Sequence, residues 1–107
     1  MSLDSIEVVD AVGTDSESGA VVLSIIDDWD WIDERKHLLA LQDKLNAYLG
    51  FVESGQIYDS YPDASGRPLR INVISKFPPP QAALIFLDKA SAVAAQLNMA
   101  VAHQITG

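Results

Sequence analysis

Between Gly19 and Asp27 the chain reads Ala-Val-Val-Leu-Ser-Ile-Ile, and few folds can accommodate that run. Apolar almost without a break and rich in Val and Ile, it predicts a central β-strand covered on at least part of both faces. Residues 6–12 predict a first strand. The polar connection over 13–19, with a glycine at each end, makes the two strands an antiparallel hairpin. Leu38, Leu41, Leu45, Tyr48 and Val52 then recur at spacings of 3, 4, 3 and 4. With Leu49 they form one stripe roughly 100° wide, so residues 31–54 predict an amphipathic helix. Asp30 is its expected N-cap, Asp33 and Glu34 fall in its first turn, and Gly55 ends it.

Residues 56–69, with Tyr58, Tyr61, Pro62, Gly66 and Pro68, predict an irregular connection, and residues 70–77 a third strand. Pro78-Pro79-Pro80 stops that strand, because proline cannot donate to a ladder, and Pro80 suits the first position of a second helix. Ala83, Phe86, Leu87, Ala90, Val93, Ala94 and Leu97 give that helix one apolar face. Asn98 is its expected left-handed cap, and residues 99–105 form a short last strand.

The expected order is therefore ββαβαβ in a single domain over residues 1–107. Right-handed crossovers that add strands in one direction place both helices on the same side. The predicted fold is an α+β or α/β two-layer sandwich, a four-stranded mixed sheet with two helices packed on one face and strand 1 antiparallel. Inserting strand 4 between 2 and 3 would put the helices on opposite faces, and the two-layer form covers one face better. It leaves a second face open. Apolar residues there, with Leu39, Phe51, Leu84 and Ile85 lying off the helix stripes, predict a homodimer.

Charge narrows the partners. Of 15 acids, ten lie in residues 1–34, ahead of the first base, Arg35; that segment carries −10 and the remainder +2, for a net charge of −8. Phosphate and anionic membranes both require clustered Lys and Arg, so neither nucleic acid nor a membrane surface is an expected partner. The chain has no cysteine, which removes disulfides and thiolate chemistry. Residues 1–12 lack the basic and apolar regions of a signal peptide, and a cytoplasmic location is expected. No phosphate-cradling or dinucleotide glycine motif occurs, and no cofactor is expected.

The densest chemistry is Asp27-Asp28-Trp29-Asp30-Trp31-Ile32-Asp33-Glu34, where strand 2 exits and helix 1 begins. Ligands usually bind at the C-terminal ends of strands in α/β sheets, and Asp27, Asp28 and Asp30 would suit Mg²⁺ or Ca²⁺. The plainer reading makes them an N-cap with first-turn acids, and Trp29 and Trp31 an apolar anchor. His37, placed on the helix flank, and His103, on the last strand, read as surface or boundary residues. No serine lies in a Gly-x-Ser-x-Gly elbow. Tyr58, Tyr61, Arg67 and Arg70 form either a recognition loop or a structural one, with the arginines pairing to acids.

Several short motifs then occur in a particular order. They are Val9-Asp10 before the hairpin, Asp27-Asp28 followed by Trp31, His37-Leu38, Leu41-Gln42-x-Lys44, Asn46-x-Tyr48-Leu49, Ser54-Gly55-Gln56, Tyr61-Pro62 and Pro78-Pro79. This string resembles a family of short, acidic bacterial single-domain proteins catalogued as a domain of unknown function. The resemblance covers nearly the whole chain; it implies a bacterial, stand-alone protein and brings no activity.

Two functions follow from the residues. One is a non-enzymatic interaction domain whose acidic segment faces a basic protein partner. Its binding residues would be Asp27, Asp28, Trp29, Asp30 and Trp31, with Tyr58, Tyr61 and Arg67 in the long connection. The alternative is a divalent-metal module or metal-dependent enzyme using Asp27, Asp28 and Asp30, with Asp63 as a further ligand.

Overall fold

Burial with a period of two sets the architecture. A computed structural model describes residues 11–106. Along β2 (Val21–Asp27), residues Val21, Leu23, Ile25 and Asp27 are buried, and Val22, Ser24 and Ile26 point to the other face. β3 (Leu69–Ser75) repeats the pattern, with Leu69, Ile71, Val73 and Ser75 inward. The inward rows join Leu41, Leu45, Tyr48 and Val52 of α1 (Glu34–Glu53) and Leu87, Ala90 and Ala94 of α3 (Gln81–Ala95) in one core.

The sheet has four strands in the order β1-β2-β3-β4. β1 (Ala11–Thr14) is antiparallel to β2, whereas β2, β3 and β4 (Met99–Ile105) run parallel. The described residues thus form a mixed sheet with three helices, one more than the sequence suggests. The addition is α2 (Gln56–Ser60), which with a 3-10 turn at Pro62–Ala64 organises the connection expected to be irregular. Its short length hides it from periodicity, but Ile57 and Ala64 are fully buried and tie it to the core. No helix among the described residues is long and apolar enough to cross a membrane.

Several boundaries move for identifiable reasons. The expected first strand falls mostly on residues 6–10, outside the described residues. Its continuation runs through Gly13 to Thr14, because the turn is closed later, by Asp15. The backbone of Asp15 exchanges hydrogen bonds with Gly19 and Ala20, both 2.8 Å, and its carboxylate accepts from the Glu17 N–H and the Ser18 hydroxyl. Only Gly19, at φ +75°, needs glycine there. Pro80 sits at the N-cap of α3 and not at its first position, its carbonyl accepting from the Ala83 and Leu84 N–H groups. Gly55 (φ +83°) and Asn98 (φ +59°) adopt the expected left-handed conformation after α1 and α3.

The buried stripe of α1 is also rotated by about one residue from the expected one. His37 and Lys44 are buried on it, whereas Leu38 is only half-buried. The Lys44 ammonium lies 5.6 Å from the Tyr48 ring centre, and the Tyr48 hydroxyl donates to the Ser24 carbonyl at 2.8 Å.

Candidate functional site

Asp27 closes β2 with its side chain on the helix-covered face, and it is 1% exposed. A buried carboxylate needs compensation, and His37, three residues into α1, supplies it. The His37 Nε2 lies 2.6 Å from Oδ2 of Asp27, and its Nδ1 donates to the Asp30 carbonyl at 2.8 Å. A carbonyl only accepts, so Nδ1 carries a hydrogen. Carboxylate and imidazole therefore share the one proton of the other hydrogen bond. Burial raises the Asp27 carboxyl above its ordinary pKa, against the opposing pull of the His37 hydrogen bond and charge.

The loop between β2 and α1 wraps around this imidazole. Trp31 stacks on it at 3.5 Å between ring centres and 12° between planes. Trp29 approaches at 5.7 Å and 59°, and its backbone N–H donates to Oδ1 of Asp27. Both tryptophans thus pack around a histidine at the helix start, and Trp29 also packs against the apolar core. Asp33, not Asp30, caps α1, accepting from the Lys36 N–H at 3.2 Å. The Asp30 carboxylate is occupied by the Ile32 N–H at 3.1 Å, which turns the chain before the helix begins.

Two further polar groups close the same end of the sheet. Ser75, at the end of β3, is 2% exposed, and its hydroxyl lies 3.2 Å from Nε2 of His103 on β4. Burial lowers the His103 pKa, and the Asp27 charge partly opposes this. Outside the buried groups opens a cleft of about 410 Å³, whose lining includes Asp28, Trp29, Asp30, Lys36, His37 and Phe77. Among the described residues, Oδ1 of Asp28 and Nε1 of Trp31 are buried atoms without a hydrogen-bond partner.

The expected site residues separate into two groups. Asp27, Asp28, Trp29, Asp30 and Trp31 meet around His37 at the C-terminal ends of the parallel strands. Tyr61 and Arg67 lie at the opposite end of the sheet. There the Tyr61 hydroxyl meets Thr14 at 3.2 Å, and Arg67 donates to the carbonyls of Asp63 (3.0 Å) and Gly19 (3.1 Å). Tyr58 is 41% exposed on α2, the helix next to them in the chain. Arg70 approaches Asp15 at 3.5 Å. The carboxylates of Asp27, Asp30 and Asp33 turn to different partners, and no group of three metal-ligating side chains occurs among the described residues.

The sequence pattern reads His37 and His103 as surface or boundary residues and singles out neither Ser75 nor Phe77, whereas His37 is 1% and Ser75 2% exposed at this end of the sheet. For His37 a signal exists: it lies four residues before Leu41 and extends the buried stripe by one turn. One observation places the chain among known sequences, a match to a family model over residues 1–107. The chain belongs to DUF6572, a family of unknown function. Comparison with curated proteins and with solved structures gave no match. In this DUF6572 member Asp28, Trp29, Asp30 and His37 face one cleft at the C-terminal ends of the parallel strands.

Proposed function

We propose that the chain is a non-enzymatic interaction domain that receives a cationic side chain of a basic protein partner in the cleft beside His37. The observation that carries this reading is Asp28. It lines the cleft, and one of its carboxylate oxygens is buried with no donor among the described residues. A buried acceptor left unpaired is costly, and a guanidinium or ammonium entering the cleft supplies the donor. The Trp29 and Phe77 rings already sit beneath the chain's own Lys36 and Lys76, at 5.9 and 5.5 Å, so a cationic side chain suits them and would take the place of these lysines on entering. Asp30 and Asp33 add negative potential at the rim, which speeds encounter with a basic surface. Ile32, 90% exposed among these acids, adds an apolar contact outside the cleft.

The test is titration of the chain with a leucine-containing, arginine-rich peptide, followed by tryptophan fluorescence at low and high salt. Saturable binding is expected, weakened about tenfold or more by raising NaCl from 50 to 300 mM. The triple variant Asp28→Asn, Asp30→Asn, Asp33→Asn keeps the local acceptor oxygens, and it should abolish binding while melting like the parent. No response at millimolar peptide, or an affinity indifferent to salt, overturns the reading.

A further inference from the structure

A second surface lies on the helix layer, and its chemistry differs from that of the acidic cleft. Eleven of the fifteen residues of α3 are apolar, distributed around its whole circumference. A helix of that kind calls for cover on both sides, and the sheet supplies one. On the other, Leu84, Ile85 and Val93 remain 49%, 50% and 52% exposed, and Leu39 of α1 is 51% exposed. Two adjoining cavities, of about 470 and 270 Å³, share Gln42 and Phe86 and form one groove between α1 and α3.

We infer that this groove is the interface of a homodimer formed about a two-fold axis crossing it near Leu39 and Phe86. The charges along the groove select a second copy as the occupant. Glu34 and Arg35 line one end, and Lys89 lines the other. A two-fold axis reverses the partner's groove, bringing Glu34 towards the partner copy's lysine. The groove lining carries one acid and two bases, in a chain of net charge −8. It is thus a surface where two copies can meet without opposing their acidic segments. Leu39 and Val93, both about half exposed, together with Leu38, Leu49 and Phe86 provide the apolar lining that such a dimer buries.

Sedimentation equilibrium of the full chain tests the inference. A dimer is expected at tens of micromolar, persisting at 500 mM NaCl because apolar burial dominates it. Val93→Glu, at an exposed position, should weaken it at least tenfold with an unchanged melting temperature. Glu34→Lys and Lys89→Glu should each weaken it about threefold, and the double variant should regain the parent's affinity within about twofold, the pattern of an opposite-charge pair. The Asn variants of the cleft acids should dimerise like the parent. A parent that stays monomeric at several hundred micromolar overturns the inference. So does a dimer indifferent to Val93→Glu, or a double variant no tighter than the singles.

Discussion

The two ends of the parallel strands solve the same polar problem in opposite ways. They lie roughly 20 Å apart along β2. At the N-terminal end the arginines work from outside: Arg67 reaches two backbone carbonyls and Arg70 leans on Asp15, all at the surface or only half-buried. Water can replace each of those contacts. At the C-terminal end Asp27 and His37 are both 1% exposed, and Ser75 is 2% exposed. There no solvent substitutes for a lost partner. An arginine that staples segments some fifty residues apart and a histidine that organises the ten residues before it are thus different kinds of device.

The comparison is tested hardest by His37→Ala. It strands the Asp27 carboxylate in the core, releases the Asp30 carbonyl and removes the ring on which Trp31 stacks. Losing one partner of a buried pair costs about 3–5 kcal/mol. Urea unfolding should show a loss of that size, with a change in tryptophan emission in the folded state. A loss below about 1 kcal/mol would falsify the view that this end is held from inside.

Arg67→Ala probes the other end. Two hydrogen bonds to carbonyls disappear, but both acceptors regain water, so the expected loss is about 1 kcal/mol. The tryptophans lie at the far end of the strands, and their native emission should stay that of the parent. If Arg67→Ala cost as much as His37→Ala, or shifted the tryptophan emission, the two ends would be mechanically coupled and not independent.

The sequence makes one of these ends far easier to read than the other. The hairpin turn is visible in Asp15, Ser18 and Gly19, because turn chemistry is local. The helices and parallel strands are visible in their periods, and the left-handed positions in Gly55 and Asn98. The acidic cluster is visible as composition, but its organisation is not. Asp27 and His37 lie ten residues apart, and nothing local says that a strand end and a first helical turn will bury them together. Polar residues on an apolar stripe, His37 and Lys44, read as flank positions until the helix is docked. Ser75 and His103 meet only through the register of β3 with β4, in which Val73 faces His103. α2 is invisible to periodicity because five residues are too few to display a period.

The smallest expected effect separates the ends by pH. His103 has its pKa lowered from 6.5 by burial, so the unfolded chain binds that proton more readily than the folded one. Its contribution to stability is fully present above pH 6.5 and is lost as pH falls towards the lowered folded pKa. Asp27 acts in the opposite sense. With its pKa raised from 3.8, its contribution is present below pH 3.8 and is lost as pH rises through the raised folded value. At the N-terminal end, hydrogen bonds from the Glu17 N–H and the Ser18 hydroxyl hold Asp15 below 3.8, so it matters only in more acidic solution. Thermal melts from pH 7.5 to 5.5 should therefore report the C-terminal end alone. Over that range His103 should lower the parent's melting temperature as pH falls, against the opposite trend of Asp27, and His103→Gln should remove that contribution. Equal slopes in parent and variant would assign the pH dependence to another group and remove His103 from the chemistry of this end.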